Sequence, residues 1–153
     1  FFKVDASAIQ SQDIKSNHYK QKYTEDLPLF GMPILNGEGV QMHTQFVSHT
    51  IRPDYLVDNL KSYACFIHGS LLSPRYEHGD LVYVDPNKQP KEGDYVVVQV
   101  KQGDHITGIF RKLLQITDRQ MKFQTLHPIK EEVIKNSEML YVHTIVGTRT
   151  NFY

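Results

Sequence analysis

The stretch HGSLLSPRYEHGDLVYVDP (residues 68–86) contains two turn sequences followed by an apolar, β-branched run. The glycine, serine and proline of its first half are typical of an exposed turn that presents one side chain. That side chain is Leu71, which carries no reactive group. In the second half, Gly79 can adopt backbone angles that other residues resist, and Asp80 can bond nearby amides before the strand begins. The stretch therefore predicts a strand-rich fold around a turn whose tip carries a leucine.

Outward from this stretch, short apolar runs alternate with Gly, Pro, Asn and Asp, a pattern that predicts strands. The predicted strands lie near 27–31, 39–51, 62–68, 80–85, 94–101, 104–115, 119–126 and 139–148. VVVQV (96–100) is β-branched and nearly continuous, which indicates a strand covered on both faces. KQGDH (101–105) and TDRQ (117–120) predict tight hairpins, and such short connections favour an antiparallel, meander-like sheet. PDYLVDNL (53–60) is the best short helix, with three apolar positions on one side.

The first part of the chain differs in composition from the rest. ASAIQSQDIKSNHYKQKYTED (6–26) is polar and lacks sustained apolar periodicity. This composition predicts that residues 1–26 form a linker or an arm that is at most partly ordered. Residues 27–153 are then expected to form one β domain, long enough to bury a core.

Charge and cysteine content narrow the functional classes. The 153 residues include 17 Lys plus Arg and 17 Asp plus Glu, so the formal net charge is zero. Proteins that bind duplex DNA carry a basic footprint, and none is visible here. Cys65 is the only cysteine, which rules out an intrachain disulfide and favours a reducing, cytoplasmic compartment. No apolar run approaches the roughly 18 residues of a membrane span, so no membrane partner is expected.

Eight histidines raise the question of a metal site. They lie at positions 18, 43, 49, 68, 78, 105, 127 and 143. None has the spacing of a helical ligand pair, and Cys65 has no partner cysteine. The sequence therefore predicts neither a bound metal nor another cofactor.

Five pieces of sequence occur in an order that matches a known family: RPDYL, FIHGSLLSPRYEHGDLVYVDP, EGDYVVVQV, IFRKL and HTIVGTRT. Together they resemble the C-terminal domain of LexA-like and phage-type repressors, which belong with the self-cleaving serine peptidases that include LexA, UmuD and the lambda repressor. The resemblance covers about residues 28–149. It implies a mainly β, LexA-like C-terminal domain with strongly bent antiparallel sheets, a small barrel-like core and one or two short helices.

The same resemblance locates two catalytic positions. In the family, the nucleophile is the serine of a Gly-Asp-Ser-Met-x-Pro turn, and the general base is the lysine of a Val-Lys-Arg-Leu-like strand. GSLLSP (69–74) keeps the glycine and the proline, which places Leu71 at the serine position. FRKL (110–113) places Arg111 at the lysine position. The resemblance therefore implies a vestigial site, with no catalytic residue at either position.

Residue chemistry points the same way. Leu71 has no oxygen that could attack, and Arg111 stays protonated and cannot accept a proton. Ser70, Ser73 and Lys112 are the fallback candidates. Successive strand side chains point to opposite faces, so Lys112 is expected to point away from Arg111 and towards solvent. The serines are expected to form local turn hydrogen bonds, but a divergent self-cleaving peptidase that uses Ser70 or Ser73 with Lys112 is the alternative.

A third departure concerns the bond that is cut. GMPILNGEGV (31–40) lies where family members carry the cleavage loop, usually with an Ala-Gly or Cys-Gly bond. Phe30–Gly31 and Asn36–Gly37 are the available bonds before glycine, and neither matches well. The enzyme class is therefore disfavoured.

The resemblance implies the regulatory and dimerisation domain of a LexA-like or phage-type transcriptional repressor with a degenerate, inactive self-cleavage site. In such repressors the C-terminal domain dimerises and so places two helix-turn-helix units on adjacent half-sites. About 26 residues before the β domain are too few for such a unit, so DNA binding would depend on an absent N-terminal domain.

We expect a homodimer, with the C-terminal run 139–153 near the interface because it ends the sheet with strand character. Release would need an antirepressor or other regulatory protein, a ligand in the old cleft, or partner exchange. A stand-alone interaction protein is the third class.

Overall fold

The computed structural model describes residues 25–34, 38–42 and 48–150. Within these ranges the chain forms eleven strands that belong to one sheet, and helical structure is limited to the 3₁₀ helices Asp54–Leu56 and Asn136–Glu138. The strands are β1 (Leu27–Phe30), β2 (Met32–Pro33), β3 (Val40–Gln41), β4 (Ser48–Thr50), β5 (Tyr63–Phe66), β6 (Leu81–Asp85), β7 (Tyr95–Gln102), β8 (His105–Ile116), β9 (Gln120–Leu126), β10 (Ile129–Lys135) and β11 (Met139–Arg149). The predicted mainly β fold is confirmed.

The sheet follows the order β10-β9-β8-β7-β11-β6-β5-β1-β4, with β3 added to β8 and β2 added to β3. It is strongly curled into a half-barrel. From β7 to β10, consecutive strands pair in antiparallel fashion through short turns, as the hairpin sequences predict. Two features depart from the predicted antiparallel meander: β11 lies between β7 and β6, and β1 runs parallel to β5. β11 is therefore not the edge strand that the sequence suggested for the C-terminal run.

The predicted Gly-Asp turns have the expected geometry. Gly79 and Gly93 have φ of +90° and +97°. The Oδ2 atoms of Asp80 and Asp94 accept hydrogen bonds from backbone N–H groups three residues earlier, each at 2.9 Å. These bonds fix the chain direction at the start of β6 and β7.

Strand β7 separates two parts of the core. Val96, Val97 and Val98 are all fully buried. Val97 belongs to a cluster that includes Phe110, whereas Val96 and Val98 belong to a cluster on the opposite face that includes Phe123. The prediction of a strand covered on both faces is confirmed.

The predicted helix over 53–60 is wrong beyond its first turn. Only Asp54–Leu56 is helical, and Leu56 is the one apolar side chain of the three that reaches the core. The side chains of Val57 and Leu60 are 54% and 83% exposed. Because Val57 and Leu60 have no core to pack against here, burial does not stabilise a longer helix.

The predicted strand boundaries differ most near the N-terminal half. The single strand near 39–51 is observed as β3 and β4, and residues 43–47 lie outside the described residues, as do most of the arm assigned to 1–26. Strand β10 was not predicted at all. Its charged side chains at the sheet edge break the alternation that identifies a strand.

Candidate functional site: the groove between Leu71 and Arg111

The turn after Gly69 is attached to the sheet by its backbone. The carbonyl oxygen of Leu71 accepts hydrogen bonds from the N–H groups of Leu126 and His127, at 2.7 and 3.1 Å. At the start of the turn, where φ of Gly69 is +90°, its N–H donates to Nδ1 of His78 at 3.0 Å. These bonds hold the turn in one position against the end of β9.

Leu71 and Arg111 line the same groove. Glu38, His68 and Phe110 also contribute to its walls. The enclosed cavity is about 10 Å³, which is room for one water molecule. The structure thus brings together the two positions that the resemblance identified, although they are forty residues apart.

Arg111 is buried and held by two carboxylates. Only 5% of the residue is exposed, and its Nε donates to Oε1 of Glu132 at 2.5 Å. Its Nη1 forms an ion pair with Glu38 and donates to the carbonyl oxygen of Phe110 at 2.9 Å. Burial alone lowers the pKa of the guanidinium, but the hydrogen bonds and charges of the two glutamates outweigh burial and raise the pKa of Arg111 above its ordinary value. The group at this position is therefore a permanent cation.

Ser73 and Lys112 each contact a residue other than the catalytic partner that the alternative requires. The hydroxyl of Ser73 donates to Oε1 of Glu77 at 2.6 Å, and the carbonyl of Ser70 accepts from the N–H of Ser73. Lys112 is half-buried, with its Nζ 5.9 Å from the centre of the Tyr95 ring. Among the hydrogen bonds of the described residues, none joins Lys112 to either serine. The pairing needed for the alternative peptidase is not formed in this structure.

The stretch that corresponds to the cleavage loop forms a hairpin beside the groove. Strands β2 and β3 pair with each other, and β3 pairs with β8 through Val40 and Gly108. Glu38 and Gly39 line the groove, but the candidate bond Phe30–Gly31 does not. The other candidate bond, at residues 36 and 37, lies outside the described residues.

Neither a metal-binding cluster nor an exposed thiol is found among the described residues. There, no group of three or more His, Cys, Asp and Glu side chains is close enough to hold a metal ion. His68 and His78 do come into ring contact, with centroids 5.1 Å apart. Cys65 is fully buried, and burial raises the pKa of its thiol well above the ordinary range. No helix in the described ranges has the length and apolar character needed to cross a membrane.

Similarity to known proteins identifies the family. Residues 28–147 match the family model described as Peptidase S24-like, which is most of the chain. The chain belongs to the Peptidase S24-like family. The predicted resemblance to LexA-like repressor domains is thereby confirmed.

One curated relative is a repressor by name. The chain is 25% identical over 126 residues to Repressor protein C of Rhizobium phage 16-3. The alignment covers 78% of this chain and 48% of that protein, so the chain spans about half the length of this curated relative.

Sequence reasoning missed the two glutamates that hold Arg111. Glu132 lies on the unpredicted strand β10, and Glu38 belongs to a stretch that was considered only for its peptide bonds. The available signal was the arginine itself, because a buried cation requires a carboxylate partner. The sequence alone offers 17 acidic residues as candidates.

Proposed function

We propose that this chain is the regulatory and dimerisation domain of a LexA-like or phage-type transcriptional repressor whose self-cleavage site is degenerate. The observation that carries the proposal is the buried Arg111, doubly paired with carboxylates, in the same groove as Leu71. The printed name of the phage relative supports the repressor part of the proposal.

Self-cleavage needs a nucleophile and a base that accepts its proton. Leu71 supplies no oxygen, and Arg111 cannot become neutral at any physiological pH. Loss of one member of such a site removes most of its catalytic power. With a leucine and an arginine at these two positions, the groove offers neither a nucleophile nor a base.

We expect the wild-type chain to stay intact during prolonged incubation at alkaline pH. These conditions favour a lysine base, because a buried lysine loses its proton most readily there. The glutamates that raise the pKa of Arg111 keep this group charged under the same conditions. Gel electrophoresis and intact-mass spectrometry measure the outcome.

The same assay tests the alternative peptidase. Ser70→Ala, Ser73→Ala and Lys112→Met remove its candidate groups, and Ser48→Ala removes an exposed serine of β4 as a matched control. A fragment that forms from the wild type and from the control, but not from one of the three variants, would establish the alternative and refute our proposal.

A domain that positions two DNA-binding units must self-associate, and we expect a homodimer. Thr148 and Arg149, in the second half of the C-terminal run, are exposed, so this run remains a candidate for the interface. Sedimentation at a concentration on the order of tens of micromolar should show dimer. Arg149→Glu should weaken the dimer, whereas Ile129→Ser, on the edge strand β10, should not. If the chain stays monomeric throughout this concentration range, the expectation of a homodimer is wrong. If only Ile129→Ser weakens the dimer, the interface involves β10 rather than the C-terminal run.

A further inference from the structure

A second groove lies between the loop 86–90, which follows β6, and the first half of β11, Met139–His143. We call it the β11 groove. Its cavity volume is about 380 Å³, which falls within the roughly 300–1,000 Å³ of small-molecule sites. It shares no lining residue with the groove between Leu71 and Arg111.

The β11 groove exists because β6 is shorter than β11. Strand β6 ends at Asp85, which pairs with Thr144. Before Thr144, β11 pairs only with β7, so its other side has no strand neighbour. The hydroxyl of Thr144 donates to the carbonyl oxygen of Lys88 at 2.9 Å and holds the loop beside this open side. The groove is therefore a fixed feature of the sheet rather than a gap between mobile loops.

A chain of buried hydrogen bonds ends at the groove. Nε2 of Gln99 donates to Oη of Tyr63 at 3.3 Å, and Oη lies 2.8 Å from Nδ1 of His143. Since the Tyr63 hydroxyl accepts from Gln99, its own proton is free to go to Nδ1. A neutral histidine that accepts at Nδ1 carries its hydrogen on Nε2. His143 lines the groove, and its one N–H donor is on the ring nitrogen that does not face Tyr63.

Burial supports the neutral form of His143. Gln99 and Tyr63 are 8% and 6% exposed, so the chain of hydrogen bonds is shielded from water. Burial also lowers the pKa of His143 below its ordinary value. At neutral pH the ring therefore remains an oriented donor, not a free cation.

The other lining groups define the chemistry of a ligand. Lys88 supplies a cation, and no acidic side chain lines this groove, all of whose residues are described. The exposed ring of Tyr141 lies 5.4 Å from the His143 ring and is tilted by 31° against it, so an aromatic ring stands next to the histidine. Apolar side chains, among them Pro86 and Met139, complete the walls together with the amide side chains of Asn87, Gln89 and Asn136.

We propose that the β11 groove binds a small aromatic carboxylate. The aromatic ring would lie against Tyr141, and the carboxylate would accept from His143 and pair with Lys88. An aromatic anion matches an exposed aromatic ring next to a histidine N–H, a lysine and neutral amide groups, with no opposing carboxylate. This site goes beyond the repressor proposal and does not depend on it.

Naphthalene-1-carboxylate is a suitable probe, and amide nitrogen–proton correlation spectra of the full chain report where it binds. We expect shifts concentrated in the amides of 87–89 and 139–143, with a dissociation constant on the order of 1 mM for a ligand of this size. The neutral analogue naphthalene-1-methanol should bind about tenfold more weakly, because it lacks the charge-assisted contacts. Equal binding of the two compounds, or shifts elsewhere, would overturn the proposal.

Two lysines of the same loop provide a matched pair of variants. Lys88→Gln removes the cation that lines the groove, and Lys91→Gln removes one that does not. We expect Lys88→Gln to weaken naphthalene-1-carboxylate several-fold while the control binds like the wild type. Equal effects of the two changes would contradict the assignment. If a second copy of the chain covers the groove instead, the shifts of the same amides will change on dilution and will not change when the probe is added. That result would also refute the proposal.

Discussion

Replacing Glu38 and Glu132 together by glutamine is expected to lower the free energy of unfolding by about 3 kcal/mol, because it leaves a buried guanidinium without a counter-charge. Arg111 is only 5% exposed and has no other carboxylate within ion-pair distance among the described residues. Urea denaturation followed by far-ultraviolet circular dichroism measures the difference. Each single change leaves one carboxylate in place, so the two single losses should sum to less than the double loss.

Glu131→Gln is the matched control for this experiment. Glu131 precedes Glu132 on the same strand, but its side chain is 55% exposed and lies 3.6 Å from the ammonium of Lys122. Exposed pairs of this kind contribute under about 1 kcal/mol. If the double variant loses no more stability than this control, Arg111 does not depend on the two carboxylates, and our description of the groove is wrong.

Gly39→Ala should separate the β2–β3 hairpin from β8. A Cβ at this position would lie 2.4 Å from the carbonyl oxygen of Gly108, which is a backbone atom of β8 and cannot turn aside. The φ of Gly39 is +89°, so the alanine would also be strained by its own backbone. Strain and clash together should cost about 3 kcal/mol. Amide hydrogen exchange at the β3–β8 contact, with urea denaturation, measures the effect.

Gly93→Ala distinguishes the clash from the backbone strain. Its φ is +97°, but nothing lies within 4 Å of an added Cβ. This variant should therefore lose about 1 kcal/mol from the backbone alone and keep the exchange rates of β3. A Gly39→Ala variant that matches Gly93→Ala would show that the hairpin can shift at no cost.

Sequence reasoning predicted the strands whose burial can be inferred from their own residues alone. The valines at 96–98 identify a doubly covered strand without reference to any neighbour. By contrast, strand β10 (Ile129–Lys135) carries four charged residues on an edge, where water replaces one partner strand. Its stability comes from pairing with β9, which a local pattern does not reveal.

The candidate site likewise contains residues that sequence reasoning located and residues that it missed. Leu71 and Arg111 could be located because the resemblance aligns each of them with a family position at a defined offset within a short motif. The position of Glu38 and Glu132 around Arg111 depends on how β3 and β10 approach β8, and these approaches are set by tertiary packing. The β11 groove depends on the difference in length between two strands, which becomes visible only when their pairing is known.

The insertion of β11 between β7 and β6 has a consequence for the order of events during synthesis. Among the described residues, no other strand pairing joins the two halves of the sheet on either side of this strand. Before Met139 leaves the ribosome, the nascent chain can therefore form only two incomplete sheets. Each has an edge strand with unpaired backbone groups that can pair with other chains. The sheet can close only after β11 has been synthesised, so folding is governed by contacts between distant parts of the chain and is expected to be slow. During this interval the nascent chain is most exposed to aggregation, and chaperones have their longest access to it.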